Sequence, residues 1–310
     1  MKRLATLLVA VAVLASFVAA CATPTPQVIE KEVVVTATPE PAPASPTLAR
    51  ALERGFLYVG NVQEAGFAYI NEEGEFTGLD ADIARYVANE LGIGDIVSVH
   101  LAWDGLIPSL LAERTDMLAC GMAAKPKRCE VVAFSNIYHI LGPTALVEKG
   151  NPFDIHSVED IAAHPDFIAG GMSGSLDVDV LREFGVPEGQ IRSYDEISLA
   201  FEDLKAGRLN AVIGTAPSHQ LWLEGAGTGD EFEIAMPWNP PPGFSYPTGL
   251  VFRHEDRALA EMASEIIEQM KADGTLAQLA VKNGFPVEIL APLCAESDVG
   301  CMVYHCPDAK

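Results

Sequence analysis

Positive charge is scarce in this chain. Twenty Lys and Arg stand against 43 Asp and Glu over 310 residues, a formal net charge of −23. A polyanion would repel such a surface, which excludes generic binding to DNA, RNA or anionic lipid headgroups. Long apolar runs are equally scarce. The single one lies at the very start, so a polytopic membrane protein is excluded. Catalytic and metal-binding groupings are missing too. His100, His139, His219, His254 and His305 are scattered and no nucleophile–base pair stands out. Cys294, Cys301 and Cys306, with His305 among them, do not follow a zinc spacing. No metal and no cofactor are expected. The 49% hydrophobic and 20% charged composition excludes wholesale disorder. The length suits one large domain, or two of about 100–150 residues.

The first residues read as an export signal. Met1-Lys2-Arg3 is a basic start, and the apolar run from Leu4 to Val18 is broken only by Thr6 and Ser16. Val18-Ala19-Ala20-Cys21 ends it with small residues and a cysteine, the pattern of a bacterial lipobox. The expectation is a signal peptide over 1–21 with Cys21 carrying the lipid. An ordinary secretory signal cleaved nearby is the plain alternative. Residues 22–49 hold six prolines among Thr, Ala and Glu, which suits an extended, disordered tether.

From Arg50 onward, short β-like runs alternate with amphipathic helices. Phe56–Gly60 reads as a strand and Phe67–Phe76 as a hairpin turning at Glu73-Gly74. Asp80–Leu91 reads as a helix with Ile83, Tyr86, Val87 and Leu91 on one face and Gly92 as its stop. The same rhythm runs through a second series from about 150 to 238, and two amphipathic segments, Ala258–Lys271 and Leu276–Asn283, close the chain. Such alternation predicts parallel sheets covered on both faces, hence an α/β protein. Two extended apolar stretches, Leu141–Val147 and Tyr246–Phe252, each with a Pro-Thr pair, join the two series. Two crossings between two lobes would form a hinge that closes on a small ligand.

Several segments carry a resemblance. They are Val62–Tyr69, Phe76-Thr77-Gly78-Leu79-Asp80, Gly105-Leu106-Ile107-Pro108, Gly121–Arg128, Val131–Ser135 and Gly249–Arg253. In this order and spacing the chain resembles the family 3 extracellular solute-binding proteins, the polar amino-acid receptors of ABC importers, and within them the ectoine- and hydroxyectoine-binding subgroup. The resemblance covers about residue 53 to the early 290s. It implies the two-lobe type II periplasmic-binding fold with two hinge crossings. Lobe 1 would comprise 50–142 and 248–293, lobe 2 would comprise 143–247, and 294–310 would be a cysteine-containing tail. It also implies a monomeric receptor that hands a small zwitterionic ligand to an ABC permease. Such a receptor works in the periplasm or at the outer face of the cell membrane and touches the membrane only through its anchor. Two other roles share this fold: a dehydratase acting on cyclic acids through a cleft carboxylate such as Asp104 or Glu64, and a sensor lobe that presents ligand to a membrane receptor.

The resemblance also implies a ligand set. Arg128 stands where the family pairs an arginine with the ligand carboxylate, and a guanidinium fork suits two carboxylate oxygens. The alternative is a surface arginine in the basic knot with Lys125 and Lys127. Glu64 and Phe67 follow the first strand, and Trp103 falls on the next strand-to-helix turn. The two aromatics would wall a box for a delocalised or alkylated cation, with Glu64 bonding its N–H, unless they are ordinary core residues. The subgroup's third aromatic is Ala123 here, which leaves one side of the box open. Thr215 replaces the aspartate that pairs with an α-ammonium in most amino-acid receptors. Ser173 and Ser175 would offer backbone N–H groups to the carboxylate, while Ser175 also reads as a helix cap. In an exported chain disulfides are expected. The pairing expected is Cys129 with Cys294, tying the tail to lobe 1.

Overall fold

The computed structural model describes residues 45–241 and 244–292. Cys21, the tether up to residue 44, and the tail with Cys294 lie outside the described residues.

The body starts earlier than Arg50. Helix α1 spans Pro46–Arg54. Pro46 sits in its first turn, where a fixed φ suits a helix and the missing N–H costs no bond. Ser45 caps it by accepting the Leu48 N–H at 3.1 Å. Buried Ser45 and Thr47 also donate their hydroxyls to the Asp256 carboxylate, at 2.6 and 2.7 Å. The last proline of the expected tether is therefore a helix start, and this polar knot fastens the helix to the body.

The first lobe continues through β1 (Phe56–Asn61), the hairpin β2 (Tyr69–Ile70) and β3 (Phe76–Thr77), α2 (Leu79–Glu90), β4 (Asp95–His100), α3 (Leu106–Leu111), β5 (Met117–Leu118), α4 (Pro126–Cys129) and β6 (Ala133–Phe134). The chain then crosses at β7 (His139–Leu141) into β8 (Thr144–Glu148), α5 (Val158–Ala163), β9 (Ala169–Met172), α6 (Leu176–Glu183), β10 (Ile191–Tyr194), α7 (Ile197–Lys205), β11 (Ala211–Gly214), α8 (Ala216–Ala226) and β12 (Phe232–Ile234). It returns through β13 (Tyr246–Thr248) to β14 (Val251–Phe252), α9 (Arg257–Asp273) and α10 (Thr275–Lys282).

Each lobe holds a five-stranded sheet, ordered β4-β1-β5-β14-β6 in the first and β10-β9-β11-β8-β12 in the second. The sheets are mixed, where alternation alone predicted parallel ones. β14 runs antiparallel to β5 and β6, and β8 runs antiparallel to β11 and β12. Both reversed strands come directly out of a crossing, so they enter their sheet without the helix that a parallel connection needs. Between the lobes β7 and β13 pair antiparallel, with Tyr246 opposite Leu141 and Thr248 opposite His139. The expected extended crossings are thus each divided between a hinge strand and a sheet strand.

Four hydrophobic clusters hold the described residues, two mainly in each lobe. In the first, Leu57 and Val59 of β1 meet Ile83 and Val87 of α2 and Ile267 and Met270 of α9, all at 1% exposure or less. The second gathers Ile161, Val178, Leu181 and Ile213. Each such side chain contributes about 1.5–3 kcal/mol on burial, and the two lobes are joined by the two-stranded β7–β13 ribbon. Helix α8 and strand β12 went unread in the sequence. The buried residues of α8 are Pro217, Ser218 and His219, and a buried face made of those does not register as apolar.

Candidate functional site

The cavity between the lobes has about 400 Å³ free of protein atoms, part of it open to the cleft mouth. Glu64, Phe67, Trp103, Ala123 and Arg128 line it from the first lobe, and Ser175, Asp177 and Thr215 from the second, with Tyr246 at the hinge. Six of the seven residues expected from the sequence therefore meet. Ser173 is the exception. Its N–H goes to Tyr194 O at 2.8 Å, and the Ser175 N–H goes to Met172 O at 3.2 Å. Those two amides are consumed within the second lobe and are not offered to a ligand.

The loop bearing Glu64 and Phe67 is pinned by the start of α2. The Leu79 N–H donates to Gly66 O at 2.6 Å and the Asp80 N–H to Phe67 O at 2.8 Å. Helix-start amides need partners outside the helix, and here the Gly66 and Phe67 carbonyls supply them. The buried Asp80 carboxylate also accepts the Gly121 N–H, which ties down the start of the Gly121–Arg128 segment. Gly121 has φ +71°, and a side chain there would press on the Phe67 ring at 3.1 Å. Phe67 is both a wall and a core residue: it is 3% exposed and packs edge-on against Phe285 at 5.1 Å.

Arg128 sits in the short helix α4. Its Nη1 donates to Ala123 O at 3.0 Å, the one hydrogen bond of its side chain among the described residues. Its guanidinium lies over the Trp103 ring, 5.4 Å from the centroid. One face of the indole is thus given to a protein cation, while Trp103 still lines the cavity. Burial lowers the Arg128 pKa, opposed by Cys120, Asp179 and Asp177. Trp103 also reaches across the cleft, donating Nε1 to Gly174 O at 3.0 Å.

Asp177 is the residue the sequence reading missed. Its Oδ1 accepts from the Tyr246 hydroxyl at 3.2 Å, and its Oδ2 lies 3.0 Å from Ser175 Oγ. Desolvation raises its pKa to about 6, restrained by the bonds from Ser175 and Tyr246 and by the Arg128 charge. Its only signal was an acidic residue in the first turn of α6 behind the Ser175 cap, which reads as an ordinary helix start.

Glu64 is raised further, to about 8, first by desolvation and then by the negative charge of Asp177 and of Asp80, while a bond from Ser218 opposes the shift. Ser218 belongs to α8, so Glu64 also spans the cleft. Thr215, 8% exposed, stands at the start of α8, and its Oγ1 is buried without a partner among the described residues. Asp104, the other carboxylate considered from the sequence, is exposed at the cleft mouth and is not part of the cavity lining. Cys120 is free, buried and lines the cavity, whereas Cys129 is disulfide-bonded.

Comparisons with known proteins agree with this architecture. The chain is 30% identical over 259 residues to the probable amino-acid ABC transporter periplasmic-binding protein y4tE of Sinorhizobium fredii, covering 80% of this chain and 83% of that one. Among solved structures it is similar to EhuB in complex with hydroxyectoine, at 27% identity and a TM-score of 0.72, over 78% of this chain and 93% of that one. It is likewise similar to AncCDT-1, an ancestral amino acid-binding protein described as a precursor of cyclohexadienyl dehydratase. That likeness has 30% identity and a TM-score of 0.68, over 77% of this chain and 99% of that one. No helix among the described residues is long and apolar enough to cross a membrane. Residues 57–286 match the bacterial extracellular solute-binding proteins, family 3, and the chain belongs to that family.

Proposed function

We propose that this protein is the receptor of an ABC importer and captures a small zwitterion by closure of its lobes. One observation carries the reading: the cavity is lined by a guanidinium, Arg128, with N–H groups unspent among the described residues, and by carboxyl groups from both lobes, Glu64 and Asp177. A carboxylate would take the Arg128 fork, assisted by the partnerless Thr215 hydroxyl at the start of α8. A cationic group bearing N–H would face Glu64 and Asp177, with Ser175 orienting Asp177, and Phe67 and the free face of Trp103 would wall it in. This distribution suits an ectoine-like compatible solute or an amino-acid derivative, and the small Ala123 leaves room beside the ring. The receptor would work as a monomer, held outside the cell membrane by a lipid on Cys21 and delivering its ligand to a membrane permease.

A thermal-shift screen over amino acids, ectoines and betaines tests this. At a ligand concentration of ~100 Kd the folded state gains about 2.7 kcal/mol. Stabilisation by at least one zwitterion is expected, and no response across the panel would overturn the reading. One observation favours a second reading: a cleft glutamate held protonated near neutral pH is the state a general acid needs. Incubation with cyclic carboxylic acids, followed by product analysis, tests for dehydration.

A further inference from the structure

Glu64 and Asp177 belong to different lobes, so the distance between them is set by closure. With the lobes in contact through Trp103 and Gly174, both carboxyls line one cavity and Glu64 feels the Asp177 charge. The surroundings of Glu64 add more negative charge than positive. Asp80 approaches from α2, and its negative charge disfavours ionisation of Glu64. Cys120 is a buried neutral thiol, and burial together with Asp80 keeps it so. Tyr246 and Ser175 attend Asp177, and Ser218 is the hydrogen-bonding group that favours the charged form of Glu64. Arg128 is the one positively charged side chain in the lining. Its charge acts on Asp177, favouring the ionised carboxylate there. Two carboxylates brought together in a half-enclosed cavity repel each other, and a proton or a cation relieves that repulsion.

We propose that Glu64 and Asp177 form a cross-cleft pair that lets the lobes close only with a cation or a proton between them. The pair then selects ligands that carry a cation facing it, and makes closure of the ligand-free receptor a proton-uptake step. The inference rests on the reading of this cavity as the ligand site. In the open state Glu64 gains water and is parted from Asp177, so it loses its proton at a lower pH, with Asp80 of its own lobe still beside it. In the closed state it holds its proton up to about pH 8. Between these limits each unit fall in pH favours closure by up to tenfold, the proton coming from solvent. A ligand cation takes the proton's place, so acid competes with ligand.

The test uses the ligand-free mature protein and follows the open-to-closed ratio by small-angle X-ray scattering from pH 9 to pH 6. The ratio is expected to shift toward the compact form as pH falls. Glu64→Gln, which carries no charge, should stay at the acid-end ratio throughout. Asp177→Asn should weaken the dependence, which keeps the proposal testable if the Glu64 variant folds poorly. A wild-type distribution that does not change with pH overturns the proposal, as does an undiminished pH dependence in either variant. No ligand enters this measurement, so its failure is distinct from a failed binding screen.

Discussion

Replacing Gly174 with alanine separates the cost of folding from the cost of closure. Gly174 has φ +70°, a left-handed conformation, and an added Cβ would run into Asp104 Oδ1 and approach Trp103 Cδ1 at 3.3 Å. The backbone term is present whether the lobes are open or closed and amounts to about 1–2 kcal/mol for a non-glycine residue. The collision exists only when the lobes meet, because Asp104 belongs to the first lobe and Gly174 to the second. It would also push Trp103 Nε1 off Gly174 O, a hydrogen bond with a net value of ~1 kcal/mol. Gly174→Ala should therefore lose about 1–2 kcal/mol in urea unfolding and bind ligand roughly fivefold more weakly by isothermal titration. Adding Asp104→Ala removes the colliding carboxylate. The double variant should recover affinity but not stability, since the left-handed backbone remains. Full affinity in Gly174→Ala would refute the reasoning, and so would recovery of stability on removing Asp104.

Two further predictions concern acid and anchoring. His219 is buried, its Nε2 has no partner among the described residues, its Nδ1 lies 3.1 Å from Thr144 Oγ1, and desolvation pulls its pKa down to about 3. The unfolded chain protonates His219 near pH 6.5 and the folded one does not, so its contribution is complete above that pH. It is lost as pH falls toward 3, by up to ~1.4 kcal/mol per pH unit. Chemical denaturation at several pH values between 4 and 7 should show a shallower acid loss in His219→Gln, and an unchanged slope would disprove the assignment. Cys21→Ser should leave unprocessed precursor or release the protein from the membrane fraction, since a chain without its lipids has no anchor. Identical fractionation and migration would exclude the lipoprotein reading.

Much of the fold was legible because its helices carry apolar stripes. Helix α10 lies within one residue of the expected Leu276–Asn283 at each end, and α2 within one residue of the expected Asp80–Leu91. Reading failed where polarity is turned inward. Helix α8 buries Ser218 and His219, and α1 is docked by Ser45 and Thr47 onto Asp256. Strand direction was also hidden, because a local pattern does not record whether a strand enters its sheet from a helix or from a hinge. At the site, residues near recognisable turns were found. Asp177 was not, because a helix-start carboxylate looks the same whether it faces solvent or a cavity. Trp103 was found with a different partner, because only the folded chain brings Arg128 over its ring.

The central claim is that Arg128 anchors the carboxylate of a zwitterion in the cleft. Isothermal titration of wild type and Arg128→Ala against the best ligand of the stability screen measures it directly. Loss of the fork leaves a desolvated carboxylate unpaired, at a cost of ~2–5 kcal/mol, so the variant should bind on the order of a hundredfold more weakly or worse. Equal affinity of the two proteins for a carboxylate-bearing ligand would contradict the account.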